Sequence, residues 1–397
     1  MKALLLENVH PDAVKILAAR GYEVTTQVGS LPEDELIEAL QGVSYLGIRS
    51  NTKLTRRVLE AVGGQLEAVG AFCIGTNQID LRAADEAGVA VFNAPYSNTR
   101  SVVELALAEI IMMARRLTVK NSLMHKGVWD KSAKGSHEIR GRTLGIIGYG
   151  NIGSQLSILA EALGMRVLFH DIVDKLALGN ARRVDTLDEL LDQAETISLH
   201  IDGRPGNTGF FGEEQFAKMR PRSLFLNLCR GNVVDYEALG RHLSSGHIAG
   251  AAVDVFDMEP KTVGDAFVNP LQGMDNVILT PHIGGSTQEA QVDIGRFVAG
   301  KLADYGDFGS TQMSVNLPEV PASSCETRRV VHLHRNVPGV LAKLNSALAN
   351  HSMNIYSQTL STKGDLGYVI TDVTGTEIDG LVQELSALDE TIRVRVL

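Results

Sequence analysis

The chain has 397 residues, of which 44% are hydrophobic and 21% charged, and it carries a formal net charge of −10. This length and composition predict a globular protein of two or three domains, and acidity without any lysine or arginine block argues against a nucleic-acid-binding protein. The three cysteines, Cys73, Cys229 and Cys325, lack the spacing of a disulfide framework or a zinc site, so we expect no metal.

The first 93 residues alternate short β-rich runs with amphipathic segments, which is the βα rhythm of a parallel sheet. An apolar helix is predicted next, from Ser101 to about Met124. Its most apolar part is interrupted by Glu104 and Glu109 and falls short of the roughly 20 residues that a membrane span requires. Because the start of the sequence also lacks a secretory signal pattern, we expect a cytoplasmic protein without a membrane partner.

A second βα series opens with RTLGIIGYGNIG and ends with NVILT. The two series predict an α/β fold with two doubly wound, Rossmann-like parallel-sheet domains and a crevice between them. From Asn316, the stretch NLPEVPASSCE contains two prolines and two serines and is typical of a linker. The residues after it predict the order strand, helix, strand, strand, helix, strand, which is a separate βαββαβ domain.

The strand LGII leads into Gly148, Gly150 and Gly153, which have GxGxxG spacing and precede an amphipathic helix. In a dinucleotide site the first glycine permits a tight turn, the second lets the pyrophosphate approach the backbone, and the third lets helix and strand pack closely. Asp171 ends the next strand, 18 residues after Gly153, where an acid accepts hydrogen bonds from a ribose. A 2′-phosphate about 4 Å from that carboxylate would be repelled by about 4 kcal/mol, so NAD is favoured over NADP. The alternative is an aspartate that starts a helix in a sheet without a nucleotide.

Three further strands each end in a chemically useful side chain. Arg230 follows SLFLNL, Glu259 follows AGAAVDVF, and His282 follows NVILT within TPHIGG. Removal of hydride from a carbinol leaves a proton to be taken from oxygen, and the carboxyl ends of sheet strands face the ligand crevice. An arginine fork for a carboxylate, an imidazole for the proton and a carboxylate to orient the imidazole form a complete set. The alternatives are a surface ion pair for Arg230 and Glu259 and a capping role for His282.

These residues lie in motifs that resemble those of a known family, the D-isomer specific 2-hydroxyacid dehydrogenases. The signatures are LGIIGYGNIG, NLCRGNVVDYEAL, AAVDVFDMEP and TPHIGGSTQEA, and the resemblance covers nearly the whole chain. It is closest to the branch that oxidises phosphoglycerate and has a short C-terminal ACT domain, through GIRSNTKLT, FCIGTNQIDL, VFNAPYSNTRSVVE and HKGVWDKSAKGS. The resemblance implies that Arg230, Glu259 and His282 are the catalytic residues, with His282 as the acid/base.

The same resemblance implies three sets of binding residues. Those for NAD are Gly148, Tyr149, Gly150, Asn151, Ile152, Gly153, Asp171, Cys229 and Asp254. Those for the substrate and its phosphate are Arg49, Ser50, Asn98 and Gln291. Those for L-serine, held as an effector between two subunits, are His334, Asn336 and Asn354. Side chains that both donate and accept suit an amino-acid zwitterion, and the alternative for the last domain is a purely dimerising ferredoxin-like module.

The reaction that the resemblance implies is the NAD-dependent oxidation of 3-phospho-D-glycerate to 3-phosphohydroxypyruvate, the first step of L-serine biosynthesis, with feedback inhibition by L-serine. It also implies a homotetramer in which Trp129 packs into a neighbouring subunit; the alternative is an ordinary core tryptophan. Two other functions stay open. One is another D-2-hydroxyacid dehydrogenase, for example one acting on 2-hydroxyglutarate and 2-oxoglutarate, and the other is a non-catalytic NAD-responsive binding protein.

The resemblance divides the chain into a discontinuous substrate-binding domain, a dinucleotide-binding domain, a linker and a regulatory ACT domain. The predicted bounds are 1–98 with 287–316, then 99–286, 317–326 and 327–397, in that order. One departure follows His200, because the family usually has a proline soon after this histidine and the chain reads SLHIDGRPGNTGF. We therefore expect a loop of different shape there, which affects the nicotinamide contacts rather than the reaction.

Overall fold

A computed structural model describes residues 1–260 and 264–397 of the chain. They form two compact units, one made of Met1–Ser97 with Gln291–Leu397 and the other of Asn98–Ala290. No helix in the described ranges is long and apolar enough to cross a membrane. The domain bounds predicted from the sequence stay predictions.

The first unit contains a parallel sheet of five short strands. The strands are β1 (Lys2–Leu5), β2 (Glu23–Thr26), β3 (Tyr45–Ile48), β4 (Ala68–Ala71) and β5 (Ala90–Asn93), in the order β2-β1-β3-β4-β5. The helices are α1 (Pro11–Ala19), α2 (Glu33–Ala39), α3 (Arg56–Val62), α4 (Leu81–Ala87) and α11 (Gln288–Phe308), which begins in the last residues of the other unit. Apolar residues of α1 and α11 pack on one face of the sheet, and those of α2, α3 and α4 pack on the other. Strands β3 and β4 are therefore buried along their whole length, as parallel strands covered on both faces are.

The second unit contains a parallel sheet of seven strands. The strands are β6 (Thr143–Ile147), β7 (Arg166–His170), β8 (Arg182–Arg183), β9 (Thr196–Leu199), β10 (Ser223–Asn227), β11 (Ile248–Val253) and β12 (Val277–Leu279). The helices are α5 (Thr99–Ala114), α6 (Leu117–His125), α7 (Asn151–Ala162), α8 (Leu187–Gln193), α9 (Glu213–Lys218) and α10 (Tyr236–Ser244). The strand order is β12-β11-β10-β9-β6-β7-β8, so the order reverses between β6 and β9. Ligands of such sheets bind outside the carboxyl ends of the strands at this reversal.

The prediction of a single helix from Ser101 to about Met124 is wrong, because this part of the chain forms two helices, α5 and α6. Between them, Arg116 has φ 51° and ψ 40°, which is left-handed backbone that a right-handed helix cannot include. The break falls in the sequence ARRLTV, which contains neither glycine nor proline. The sequence therefore contained no indication of the break between α5 and α6.

The C-terminal part of the first unit is an antiparallel sheet of four strands with two helices. Its elements are β13 (Arg328–Arg335), α12 (Val340–Asn350), β14 (Asn354–Lys363), β15 (Leu366–Thr374), α13 (Ile378–Ser386) and β16 (Thr391–Val396). This is the predicted βαββαβ order, with strands arranged as β14-β15-β13-β16. Helices α12 and α13 cover one face of the sheet. Residues of the other face, including Val331, Leu333, Tyr368 and Ile370, join the same apolar core as β1 and α11.

Candidate active site

The turn between β6 and α7 has the geometry of a phosphate-binding loop. Gly148 has φ 91°, and a Cβ there would collide with the carbonyl oxygen of His200. A Cβ on Gly153 would collide with the carbonyl oxygen of Gly148, so α7 packs this closely on the end of β6 because residue 153 is glycine. A Cβ on Gly150 would meet no atom of the described residues within 4 Å. Open space therefore lies over the middle glycine, where a phosphate would approach the backbone.

Asp171, at the end of β7, is held by backbone amides beside this turn. Its Oδ2 accepts a hydrogen bond from the amide of Tyr149 at 2.7 Å, and its Oδ1 accepts one from Val173 at 2.9 Å. The ring of Tyr149 stacks on Phe169, with centroids 3.7 Å apart. No described side chain caps the first turn of α7, so the amides of this turn can donate to an anion. An uncapped helix start beside an anchored carboxylate fits the pyrophosphate and ribose of a dinucleotide.

His282 and Glu259 form a hydrogen-bonded pair. Nδ1 of His282 lies 2.8 Å from Oε2 and 3.0 Å from Oε1 of Glu259, and this contact assigns the proton to Nδ1 and leaves Nε2 as the reactive nitrogen. The hydrogen bond to Glu259 raises the pKa of His282, although burial acts against it. Burial acts to raise the pKa of Glu259, but the hydrogen bond and charge of His282 hold it below its usual value. The pair therefore favours an imidazolium beside a carboxylate.

Arg230 lies next to this pair, close enough for its charge to lower the pKa values of both His282 and Glu259. Its backbone carbonyl accepts from Nδ2 of Asn227 at 3.1 Å, and its Nη1 donates to the carbonyl of Cys229 at 2.6 Å. The structure thus brings the three predicted catalytic residues together at the carboxyl ends of the strands. A Cβ on Gly203 would lie 2.8 Å from Cγ of Arg230, so the unusual loop after His200 packs directly against this arginine.

Asp254 anchors the loop that carries His282. Its Oδ1 accepts from Oγ1 of Thr280 at 2.6 Å and from the amide of Ile283 at 2.8 Å, and its Oδ2 accepts from the amide of Gly284 at 2.8 Å. The carboxylate is buried, and three charge-assisted hydrogen bonds compensate for the lost hydration. His282 itself has φ 52°, a left-handed conformation that these bonds on both sides stabilise.

The predicted substrate residues do not all fall in this unit. Arg49, Ser50 and Gln291 belong to the first unit, and Asn98 begins the second. Arg49 is positioned through its backbone, since its amide donates to Oε1 of Glu7 at 3.1 Å and its carbonyl accepts from Nε2 of Gln78 at 2.6 Å. Its guanidinium makes no hydrogen bond or ion pair with any residue that the structure describes.

Glu7 is a supporting residue that the sequence did not reveal. It is buried at the end of β1 with φ 61°, and its carboxylate also accepts from the amides of Asn51 at 3.0 Å and Thr52 at 2.8 Å. The carboxylate of Glu7 thus accepts from three backbone amides, those of Arg49, Asn51 and Thr52, and holds the loop that contains them in place. The only signal in the sequence was an acid directly after an apolar strand.

The predicted effector residues lie in the C-terminal sheet. His334 is buried, its Nδ1 lies 2.8 Å from the carbonyl oxygen of Arg335, and its ring occupies the place that a Cβ on Gly367 would take. Asn336 donates to the carbonyl of Gly364 at 3.2 Å. Asn354 is exposed at the start of β14. The assignment of His334, Asn336 and Asn354 to an effector stays a prediction.

Trp129 is 71% exposed, and the ammonium group of Lys131 lies 5.8 Å from its ring centroid. The alternative that Trp129 is an ordinary core residue of its own chain is therefore wrong. A large exposed aromatic side chain on a loop is instead typical of a residue that another chain covers.

Comparison with known proteins decides the family. Residues 107–284 match the family model described as D-isomer specific 2-hydroxyacid dehydrogenase, NAD binding domain. The chain is 49% identical over 399 residues to a D-3-phosphoglycerate dehydrogenase of Haemophilus influenzae and 48% identical over 400 residues to one of Escherichia coli K12. Each alignment covers all of this chain and 97% of the relative. The chain belongs to the D-isomer specific 2-hydroxyacid dehydrogenase family.

Two further similarities concern the fold and the C-terminal domain. The solved structure of D-2-hydroxyisocaproate dehydrogenase is 24% identical with a TM-score of 0.72, covers 80% of this chain and 100% of its own, and shows the common fold. Residues 330–393 match the family model of an AHAS small subunit-like ACT domain. The predicted family, the fold class and NAD as the cofactor are thereby confirmed.

Glu109 is a second residue of this dehydrogenase that the sequence did not reveal. It is only 1% exposed on α5, and neither carboxylate oxygen has a hydrogen-bond partner among the described residues. Burial, together with the charge of Asp254, raises the pKa of Glu109 to about 8. A carboxyl group in such surroundings is kept neutral at pH 7.

Replacing Glu109 with glutamine removes a pH dependence of stability. The raised pKa means that the folded state binds a proton that the unfolded state releases above about pH 4.5, so this group makes stability fall as the pH rises from 4.5 to 8. The slope is at most about 1.4 kcal/mol per pH unit. We expect Glu109→Gln to have a higher melting temperature than the wild type at pH 8 and a similar one at pH 5. Glu104→Gln, on the exposed side of the same helix, is the control, and an unchanged pH dependence in Glu109→Gln contradicts the interpretation.

Proposed function

We propose that this chain catalyses the NAD-dependent oxidation of 3-phospho-D-glycerate at its 2-hydroxyl group to give 3-phosphohydroxypyruvate. The observation that carries the proposal is the hydrogen-bonded pair of His282 and Glu259 beside Arg230. Relatives named D-3-phosphoglycerate dehydrogenase, similar over the full chain, support this choice within the family.

The three residues have complementary roles in this reaction. Bound NAD supplies the hydride acceptor. Arg230 binds the substrate carboxylate and stabilises negative charge on the 2-oxygen, because its guanidinium presents paired donors. Nε2 of His282 takes the hydroxyl proton, and Glu259 stabilises the imidazolium that forms. In the reverse direction, the same imidazolium donates its proton to the carbonyl oxygen.

The cofactor residues act by position. The uncapped amides of α7 bind the pyrophosphate, and Asp171 accepts from the ribose hydroxyl groups. Tyr149, Asn151, Ile152 and Cys229 are assigned to this site by resemblance. Asp254 is assigned to the nicotinamide end, and it holds the His282 loop through Thr280 and two amides. One aspartate therefore connects the cofactor site to the acid/base.

The substrate is tested by following NADH consumption with phosphohydroxypyruvate, hydroxypyruvate and 2-oxoglutarate in parallel. We expect the highest kcat/KM for phosphohydroxypyruvate, because the guanidinium of Arg49, which has no partner among the described residues, can bind the phosphate. A preference for 2-oxoglutarate would identify a different D-2-hydroxyacid dehydrogenase. No turnover of any 2-oxo acid, with NADH still bound, would identify a non-catalytic NAD-responsive protein.

Regulation by L-serine is part of the proposal. Among the described strands, β14 pairs with β15 alone and is exposed along most of its length, so a second copy can pair with it or pack beside it. His334, Asn336 and Asn354 would then hold the amino acid between two subunits. The exposed Trp129 supports a further contact in the other unit. Two separate contacts per chain favour a homotetramer, which sedimentation tests.

Asn354→Ala should remove inhibition by serine and leave uninhibited turnover close to the wild type. Its amide would bind a charged amino acid, and losing such bonds weakens binding by about tenfold or more. The measurement is the initial rate against serine concentration, together with calorimetric titration of serine. Asn350→Ala, an exposed asparagine in the same domain, is the control. Serine inhibition that persists in Asn354→Ala, or that is simply competitive with phosphohydroxypyruvate, contradicts the assignment.

A further inference from the structure

A cavity of about 330 Å³ in the Asn98–Ala290 unit is lined by three arginines, Arg116, Arg142 and Arg222. Its lining also includes Leu224 and Ala249, near the amino ends of β10 and β11, and Arg142 directly precedes β6. The catalytic residues follow the carboxyl ends of the strands, so this cavity lies at the opposite edge of the same sheet. None of its described lining residues is an aspartate or glutamate.

The backbone at two of these arginines is strained. Arg116 has φ 51° and Arg222 has φ 68°, in the left-handed region that glycine adopts without cost. An arginine with its long side chain is an unfavourable choice at such a turn. Two of them in one cavity indicate that the guanidinium groups serve a purpose that outweighs the strain.

The two strained arginines point toward the same place. A Cβ on Gly135 would lie 3.7 Å from Nη1 of Arg116 and 3.9 Å from Nη2 of Arg222, so both guanidinium groups approach one point next to a glycine. Like charges this close repel each other unless a negative charge lies between them. Among the described residues, no carboxylate forms an ion pair with Arg116 or Arg222, although Asp130 is near enough for the charge of Arg116 to lower its pKa. Within the same residues, Arg116 donates one hydrogen bond, to the carbonyl of Lys134 at 3.3 Å.

The third arginine is also incompletely paired. Nη2 of Arg142 lies 3.4 Å from Glu195, a weak ion pair, and its Nε is buried without a hydrogen-bond partner among the described residues. A buried donor without an acceptor is costly, and a ligand oxygen would satisfy it. His137 and Asn276 add further polar groups to the lining.

We propose that this cavity binds a small polyanion that presents phosphate or carboxylate groups to Arg116, Arg142 and Arg222. Planar guanidinium groups bind both groups through paired hydrogen bonds. The volume suits a small ligand, since small-molecule sites begin at about 300 Å³. The site is separate from the substrate and effector sites, so it does not depend on the proposed reaction.

Calorimetric titration of the full chain, saturated with NAD to occupy the cofactor site, tests the proposal. The probes are inorganic pyrophosphate and citrate, in separate titrations that distinguish phosphate from carboxylate ligands. We expect at least one of them to bind the wild type and to bind the double variant Arg116→Gly with Arg222→Gly at least tenfold more weakly. Glycine suits both left-handed turns, so this variant keeps the fold, and its melting temperature checks that. Arg142→Gln, which leaves the turns untouched, should also weaken binding.

The control removes the same charge elsewhere in this unit, through Arg140→Gln with Arg241→Gln, both exposed arginines. It should bind like the wild type. The proposal is overturned if neither anion binds the wild type, if the double variant binds as tightly as the wild type, or if the control loses as much affinity. The proposal is also overturned if the double variant shows altered sedimentation but undiminished anion binding. That result would show that the arginines contact a neighbouring chain instead of an anion.

Discussion

His282→Asn should lower turnover by about 10²- to 10⁴-fold, the loss that removal of a general acid/base produces. Asparagine is close to imidazole in size and can still accept a hydrogen bond, but it cannot take or give a proton near neutral pH. The cofactor residues around α7 are untouched, so the affinity for NADH should stay near that of the wild type. Stopped-flow transfer of hydride and fluorescence titration of NADH measure the two quantities separately.

The pH dependence tests the same assignment. In the reduction of phosphohydroxypyruvate, His282 must carry a proton, so kcat/KM falls as the pH rises through its pKa, which Glu259 holds above the ordinary value of 6.5. In the oxidation direction His282 must be deprotonated, so the rate rises over the same range. Glu259→Gln removes the hydrogen-bonded carboxylate, and the midpoint of both profiles should move to lower pH.

The chain offers a matched control for these variants. His242 and Glu213 form another histidine–carboxylate pair in the same unit, at 2.9 Å and outside the proposed site. His242→Asn should leave turnover and the pH profile unchanged. Near-normal turnover in His282→Asn, or equal effects of His282→Asn and His242→Asn, would remove His282 from the mechanism.

The sequence predicted those parts of the site in which a short motif determines both backbone and chemistry. Gly148 and Gly153 are examples. A side chain at either position would collide with the backbone, so the turn requires glycine at both. The pairing of His282 with Glu259 was also predictable, since the carboxyl ends of parallel strands meet at one edge of the sheet. Their spacing of 2.8 Å agrees with that prediction.

The supporting residues were not predictable, because their roles depend on contacts between distant parts of the chain. Glu7 looked like any acid after a strand, yet it binds amides 42 to 45 positions later in the chain. The interruption between α5 and α6 falls at Arg116, a residue type that ordinarily continues a helix. In both cases contacts between distant parts of the chain decide the outcome, and a single sequence does not show these contacts.

Arg49→Ala should weaken the use of phosphohydroxypyruvate by about 10- to 100-fold, while hydroxypyruvate, the same molecule without phosphate, is used almost as before. A hydrogen bond to a charged group contributes about 1.5 to 3 kcal/mol, and only the phosphorylated substrate would make this one. The backbone amide and carbonyl of Arg49 bind Glu7 and Gln78, so loss of the side chain leaves the loop in place.

The measurement is kcat/KM for both substrates in Arg49→Ala, Arg49→Lys and the wild type. Lysine keeps the charge but loses the planar fork, so Arg49→Lys should fall between the other two. Arg57→Ala is the control, because Arg57 belongs to the same unit and pairs with Glu33 and Asp34 on the surface. Equal losses on both substrates would mean that Arg49 does not bind the phosphate. The guanidinium of Arg49 has no partner among the described residues, so in that case we would expect it to bind a different anionic ligand.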